Sequence, residues 1–232
     1  MSRKYKNPPL EEVLCYFEFV PSKDWDESLI DEFYEKIKGE FPIRKKTTED
    51  NKDFTQFWKQ NEKGMIQIGE NFLAYNQLMP YPNWDVFKSR PLEFFPIYKD
   101  LIQPNGLNKL GLRYMNRVIF DKINGNLYEH LDFAPTVPSR LEKPFDSFDS
   151  VVGVSYNDQR DRLYLHIMSL EYDNPEEVSF LLDLFYVMEK SEKITLDQVE
   201  SWLEEAHNNI ESAFEACFTK KCKKEFFGLV EN

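Results

Sequence analysis

A chain of 232 residues with 41% hydrophobic and 16% aromatic side chains has enough apolar surface to build a folded core, which excludes a disordered protein. Its 41 acidic residues outnumber its 29 basic ones, and the net charge of −12 disfavours nucleic acid as a partner, because phosphate binding draws on a basic excess. No apolar run reaches the roughly 18 residues of a membrane-spanning helix. The three cysteines, Cys15, Cys217 and Cys222, are typical of reduced thiols. We therefore expect a cytoplasmic protein that does not enter a membrane.

Two basic clusters are candidates for a local nucleic-acid-binding face. The first, Arg44–Lys46, lies in a polar segment that we expect to be a solvated loop. The second, Lys220–Lys224, lies near a predicted helix end, where the helix dipole stabilises positive charge. We interpret both as solvated surface, and nucleic-acid binding stays open only if the fold gathers basic residues on one face.

The first part of the chain predicts a strand, a helix and a hairpin. Apolar residues alternate along Val13–Val20, which predicts a strand with one apolar face. Leu29–Ile37 has helical spacing, and Met65–Gly69 with Phe72–Met79 predicts a hairpin. Between the helix and the hairpin, Phe54–Trp58 is interpreted either as a strand or as a packing loop.

A second helix is expected after Asn83, a residue type that caps helix starts. Apolar residues then recur at helical spacing as far as Ile102, but Pro91 and Pro96 lie inside the pattern. Proline removes a helical hydrogen bond and clashes with the preceding turn. We therefore expect this helix to be split or kinked.

The second part of the chain predicts the same kinds of elements again. In chain order they are a strand, a short helix, a hairpin and a third strand: Leu110–Phe120, Asn126–Leu131, Val151–Tyr156 with Arg162–Glu171, and Val178–Lys190. The last helix has the clearest pattern, with an apolar stripe along Leu196–Phe218 and a capping box formed by Thr195 and Gln198. Because such a stripe must be buried, we expect this helix to pack on a sheet.

The order of these elements predicts an α+β fold. A strand, a helix, further strands and a long helix occur twice, in halves of about 5–104 and 105–228. We interpret 1–232 as one domain in which antiparallel sheet packs on long helices and a β-α-β(n)-α unit is duplicated. The saddle of the TATA-binding-protein type and the helix-grip domain both have this character, and they remain alternatives.

Two sequence motifs resemble a known family. They are Tyr5-x-Asn7-Pro8-Pro9-Leu10 and Gly111-Leu112-Arg113-Tyr114-x-Asn116-Arg117. Together with the helical region Leu196–Phe218, they resemble a sporadically distributed, functionally uncharacterised prokaryotic family along nearly the whole chain. The resemblance implies a cytoplasmic protein from a mobile or antiviral defence-associated gene system. It carries over no catalytic residues.

The second of these motifs also contains the main candidate site. Arg113 and Arg117 lie four residues apart in a strand and therefore share one face, where two guanidinium groups could bind a phosphate or carboxylate. Tyr114 and Asn116 point to the opposite face and complete the motif as tentative ligand-binding residues. His130 is the fifth such residue and the candidate for acid–base chemistry.

A structural role for these residues is the alternative interpretation. The two arginines would then pair with carboxylates on neighbouring strands, with Glu18 and Asp183 as candidate partners. Asn116 would satisfy backbone groups at an irregular point of the strand. No nucleophile can be assigned beside His130.

The signatures of common nucleotide-binding and nucleophilic enzymes are missing. The chain has no G-x-x-x-x-G-K-[ST], G-x-G-x-x-G or G-x-S-x-G sequence. We therefore expect no metal or cofactor, and we favour a non-enzymatic binding or accessory protein that contacts a protein partner or a second copy of itself. The alternative is a metal-independent enzyme or sensor for a phosphorylated ligand or nucleotide, using Arg113 and Arg117.

Overall fold

One large antiparallel sheet organises the protein. The computed structural model describes residues 5–22, 25–49, 51–121, 127–134, 136, 138, 140, 147–170, 177–191 and 193–230, and within these residues nine strands belong to the sheet. In chain order they are β1 (Leu10–Val20), β2 (Ile43–Glu49), β3 (Lys52–Trp58), β4 (Gly64–Gly69), β5 (Phe72–Leu78), β6 (Gly106–Asp121), β7 (Asp149–Tyr156), β8 (Asp161–Leu170) and β9 (Glu177–Met188). Across the sheet the order is β2-β3-β4-β5-β1-β6-β9-β8-β7, so β1 and β6 lie side by side in the interior of the sheet.

The helices cover one face of this sheet. They are α1 (Ser28–Ile37), α2 (Trp84–Ile102), α3 (Val199–Cys217) and the short α4 (Lys220–Glu225). Three ring contacts join α1, α2 and α3 to strands on the same face: Phe33–Phe57 at 6.0 Å, Phe95–Phe17 at 5.0 Å and Trp202–Tyr186 at 5.5 Å. We call this the helix-covered face. In the described part of the chain, no helix combines the length and the apolar character needed to span a membrane.

Strand β1 shows why the chain folds in this way. Its alternate residues Val13, Cys15 and Phe17 point to the helix-covered face and are fully buried. Tyr16 and Glu18 point to the opposite face, which we call the uncovered face, and are partly exposed. Burying a large apolar side chain stabilises a fold by about 1.5–3 kcal/mol. The two-residue period of β1 therefore determines which of its sides faces the helices.

The structure confirms several of the predicted elements. The hairpin of β4 and β5 and the helix predicted at Leu196–Phe218, which is α3, are present, and the Asn83 side chain caps α2 by accepting a hydrogen bond from the Val86 amide (3.0 Å). Helix α3 begins at Val199, later than expected, although the Gln198 side chain accepts from the Thr195 amide (3.0 Å) as one arm of the predicted capping box.

Helix α2 continues through both of its prolines, so the predicted split does not occur. Pro91 is buried, and Phe94, Phe95 and Tyr98 are buried on the following turns. The packing of these rings outweighs the hydrogen bonds that the two prolines cannot donate.

The largest difference from the sequence prediction is strand β2. Arg44–Lys46 lies in this strand and not in a loop. Because β2 is an outer strand and largely exposed, its sequence has no alternation of apolar and polar residues. Phe54–Trp58, for which the sequence allows a strand or a packing loop, lies in strand β3. The short helix expected at Asn126–Leu131 corresponds to a 3-10 turn at Leu127–Glu129, while Asn126 lies outside the described residues.

Candidate functional site

Strand β6 separates the predicted site residues onto two faces. Arg113 and Arg117 lie on the uncovered face, whereas Tyr114 and Asn116 lie buried on the helix-covered face. His130 follows β6 and lies beside Phe120, near the end of that strand. The five residues therefore do not form a single site.

Both arginines of the motif are paired with carboxylates. The Arg113 guanidinium donates two hydrogen bonds to Asp183, at 2.8 and 2.6 Å, and these bonds raise the pKa of Arg113. Arg117 is paired with Glu11 at 2.5 Å. Asp183 was one of the two expected partners; the other, Glu18, lies 3.4 Å from the Asn108 amide group. The guanidinium groups thus have local partners, and they do not converge on a shared ligand position.

Tyr114 is buried in a polar cluster between β6, α2 and α3, whose other members His207 and Trp84 are half-buried. Its hydroxyl lies 3.0 Å from Nδ1 of His207, and the His207 ring stacks on Trp84 with 4.1 Å between centroids. Burial lowers the pKa of His207 to about 4 and raises the pKa of Tyr114 well above its ordinary value. The imidazole and the phenol are therefore both neutral near pH 7. This cluster ties the two helices to the sheet.

Asn116 and His130 are buried as well. The Asn116 side chain donates to the Leu182 carbonyl oxygen (3.1 Å), which agrees with a backbone-satisfying role. The His130 ring is 3% exposed and packs between Phe120 (5.3 Å) and Phe226 (5.2 Å). Its Nδ1 atom has no hydrogen-bond partner among the described residues. A histidine enclosed in this way is shielded from a dissolved substrate.

A row of five aromatic rings crosses the uncovered face, and sequence reasoning missed it. We call the following residues the aromatic row: Phe54, Phe72, Tyr16, Phe185 and Tyr164. Successive ring centroids along the row are 5.1, 6.0, 5.9 and 6.3 Å apart. The rings come from five strands, β3, β5, β1, β9 and β8, and each is partly exposed. The row therefore presents ring surface over most of the width of the sheet.

Glycines allow the rings to lie on the sheet surface. Gly69 is the cross-strand neighbour of both Phe54 and Phe72, and Gly111 is the neighbour of Tyr16. A Cβ atom at Gly69 would lie 2.7 Å from the Phe54 ring, and one at Gly111 would lie 2.2 Å from the Tyr16 ring. Since neither contact is tolerable, both rings rest where only glycine leaves room.

Gly153 continues the pattern at the outer end of the row. It is the cross-strand neighbour of Tyr164, and a Cβ atom there would lie 3.6 Å from the Tyr164 ring. The nearest atom to this Cβ would be Cδ of Arg162 at 3.2 Å, still farther than the nearest ring atoms at Gly69 and Gly111, so the third glycine is the least constrained of the three. The Tyr164 ring therefore lies less closely on its neighbouring glycine than the Tyr16 ring does.

The charged groups around the aromatic row are mostly paired. Arg113 holds Asp183, His166 lies 2.7 Å from Asp149, and the Arg162 guanidinium lies over the Tyr164 ring at 5.7 Å. Burial and the nearby Glu18 carboxylate raise the pKa of Tyr16, which keeps this phenol neutral. The ring surfaces are therefore the groups of this face that a binding partner can contact most directly, since the charged side chains named above already have partners.

A cleft of about 270 Å³ lies between the start of α1 and strands β2 and β3. Its lining includes Trp25, Ile30 and Phe54, and Lys46 pairs with Glu27 at 3.8 Å in its wall. The cleft lies near the lower limit of small-ligand pockets, which is roughly 300 Å³. It brings together no set of titratable groups suited to catalysis, so the aromatic row is the stronger candidate.

Comparison with known proteins finds no match that would assign a role to these residues. The chain matches no protein-family model, and no curated protein matches its sequence. Among the described residues, no three histidine, cysteine or carboxylate side chains come together as a metal site.

Proposed function

We propose that this protein is a non-enzymatic binding protein whose uncovered sheet face receives a protein partner. The observation that carries the proposal is the aromatic row, in which five rings lie side by side on a surface that none of the described helices covers. Each ring is partly exposed, and a contiguous apolar patch at a protein surface is typical of an interaction site.

The geometry of the row suggests which side chains the partner presents. Tyr16 lies over Gly111, and the planes of Phe72, Tyr16, Phe185 and Tyr164 differ by only 21–33° from one ring to the next, whereas Phe54 meets Phe72 edge-on at 67°. Flat aromatic faces stack on aromatic rings and on arginine guanidinium groups. The occupant that we propose is therefore a protein segment that offers aromatic and arginine side chains to the row.

A protein suits this face better than a nucleic acid does. Phosphate groups need unpaired cations, whereas Arg113 and Arg117 both have carboxylate partners and the whole chain carries a net charge of −12. In the basic clusters, Arg44 pairs with Asp31 at 2.6 Å and Lys221 with Glu129 at 2.5 Å. The same pairing weakens the alternative of a phosphorylated ligand held by the two arginines.

The test is quantitative affinity enrichment from the native host with three baits. The first is the natural protein, the second carries Tyr16→Ser and Phe185→Ser in the aromatic row, and the third carries Tyr128→Ser at a side chain that is 40% exposed outside the row. We expect a protein that the first and third baits retain and the second loses. Titration with the purified partner should then show binding weakened about tenfold or more, the equivalent of at least ~1.4 kcal/mol.

Two results would contradict the proposal. One is an identical set of retained proteins for all three baits. The other is a purified partner that binds the row variant as tightly as the natural protein. A phosphorylated small molecule whose binding is lost on substitution of Arg113 and Arg117, but is kept on substitution of the rings, would favour the alternative function.

We also propose that the two halves of the chain are a duplicated β-α-β(n)-α unit of the TATA-binding-protein type. The strand order supports this: β1 lies beside β5, the last strand of its half, and β6 lies beside β9, the last strand of the other. In each half the last strand is followed by a 19-residue helix, α2 or α3, and in the second half the short α4 comes after it. A superposition of β1, β5 and α2 on β6, β9 and α3 checks the duplication, and the absence of one consistent rotation would contradict it.

A further inference from the structure

The outer strand β7 has an unusual surface for the edge of a sheet. Its sequence is DSVVGVSY, and Val151, Val152 and Val154 are 57, 43 and 40% exposed. Side chains of neighbouring residues in a strand point to opposite faces. Apolar side chains are therefore exposed on both sides of this edge, where none of the described helices covers them.

The other edge of the sheet is protected in the usual way. Four of the seven residues of β2 are charged, namely Arg44, Lys45, Lys46 and Glu49, while β7 carries a single charge, Asp149. Charged side chains, lysine above all, keep an edge strand from pairing with another chain. The two edges of the described sheet thus differ in this protection, and of the two it is β7 that has only one charged residue against pairing with a further strand.

The hydrogen bonds of β8 show which backbone groups of β7 are free to pair. The Ser169 amide donates to the Phe148 carbonyl oxygen (2.9 Å), which makes positions 148 and 169 a hydrogen-bonded pair. In an antiparallel ladder such pairs alternate. The even-numbered residues of β7 therefore bond to β8, and the odd-numbered residues Val151, Gly153 and Ser155 direct their amides and carbonyls outward.

We propose that β7 pairs with β7 of a second copy of this chain, so that two sheets join at this edge. An antiparallel pairing centred on Gly153 places Val152 of each copy opposite Val154 of the other. The two Asp149 carboxylates then lie at opposite ends of the paired segment, so no like charges face each other. A two-fold axis perpendicular to the sheet closes the pair and leaves the charged β2 edges outermost.

This pairing is independent of what binds the aromatic row. The axis keeps the uncovered faces of both copies on the same side, so their aromatic rows belong to one continuous surface. If β7 did not pair, the aromatic row of each copy would be unchanged. Each of the two proposals is therefore tested by its own experiment.

The experiment measures the mass of the full chain in solution by sedimentation velocity and light scattering over a range of concentrations. We expect a dimer for the natural protein. Val152→Lys should give a monomer at concentrations at which the natural protein is dimeric, because a charge at this position must enter the paired edge. Val86→Lys is the matched control: Val86 is 48% exposed on α2, and this variant should remain a dimer.

A charge-swapped mixture tests the antiparallel arrangement itself. Val152→Glu alone and Val154→Lys alone are each expected to be monomeric, and an equimolar mixture of the two variants is expected to restore the dimer, since the two substituted positions then face each other across the edge. A natural protein that stays monomeric at the highest soluble concentration overturns the proposal. A dimer that survives Val152→Lys, or a mixture that stays monomeric, overturns it as well, because the contact then lies elsewhere or the edges are not paired in this way.

Discussion

Two arginine–aspartate pairs, one on each face of the sheet, show how differently the two faces are built. On the helix-covered face, Asp161 is fully buried and accepts hydrogen bonds from Arg160 (2.5 Å), Trp202 (3.0 Å) and Tyr186 (3.2 Å). On the uncovered face, Asp183 accepts both of its strong bonds from Arg113, whose side chain is 38% exposed. Asp183 is itself 5% exposed, so the two pairs differ in the number of donors around the carboxylate and in the exposure of the arginine side chain, which is 25% for Arg160 and 38% for Arg113.

This difference separates stability from binding. A buried carboxylate with several donors holds β8, β9 and α3 together, so its loss affects the whole fold. An exposed guanidinium beside a row of rings can exchange its contacts for those of a partner. The helix-covered face therefore determines whether the chain folds, and the uncovered face is free to determine what it binds.

Removal of the Asp161 carboxylate is the strongest test of this contrast. Asp161→Ala leaves Arg160 without its buried partner and the Trp202 and Tyr186 donors without an acceptor. We expect a loss of about 3–5 kcal/mol in the free energy of unfolding. Asp183→Ala on the uncovered face should cost only about 1–2 kcal/mol, because water can reach Arg113. Urea unfolding of both variants measures the two losses, and equal losses would contradict the contrast.

A pH titration provides the second test, through His207 on the helix-covered face. Its folded pKa of about 4 lies below the usual unfolded value of about 6.5, so the folded state binds fewer protons between these values. The contribution of the neutral His207 side chain to the free energy of unfolding is thus complete above about pH 6.5. It decreases as the pH falls towards 4, by up to roughly 3 kcal/mol.

The His207→Gln variant isolates this contribution from the carboxylates that titrate at lower pH. The difference in unfolding free energy between the variant and the natural protein should shrink as the pH falls from 7 to 5. Curves that stay parallel over this range would show that His207 is not held neutral by burial.

The smallest expected effect concerns the uncovered face itself. In Gly111→Ala the new methyl group must displace the Tyr16 and Phe185 rings, which it would otherwise approach to 2.2 and 2.9 Å. Overpacking of this kind costs about 1–3 kcal/mol. Gly39→Ala is the control, because a Cβ atom at Gly39 meets nothing within 4 Å. Unfolding midpoints that fall equally for both variants would mean that the rings do not rest on Gly111.

Strand β1, with one buried side, was predictable from the sequence, and so was the valine-rich outer strand β7, whereas the charged outer strand β2 was not. The alternation in β1 marked both its strand and its buried face. β2 was missed because residues such as Arg44 and Lys46 are solvated and leave no periodic pattern. The Arg113–Asp183 pair could be anticipated as one of two options, because both residues lie in predicted strands.

The aromatic row and the Asp161 cluster could not be predicted, since both depend on strand register. Tyr16, Gly111 and Phe185 are far apart in the chain, and nothing local indicates that they are neighbours. Trp202 likewise meets Asp161 across 41 residues. A glycine inside a strand pattern was the available signal, because glycine in a strand often marks a close approach by another group.

The stacking of Tyr16 on Gly111 also makes this glycine a magnetic probe. One of its two α protons stands where a Cβ atom would be and points at the Tyr16 ring, so the induced ring current acts on that proton. Its nuclear resonance should therefore appear upfield of those of Gly39, where a Cβ atom would meet nothing within 4 Å. A molecule that binds to the row and tilts Tyr16 would shift this line, and the backbone would report binding without any label attached to the protein.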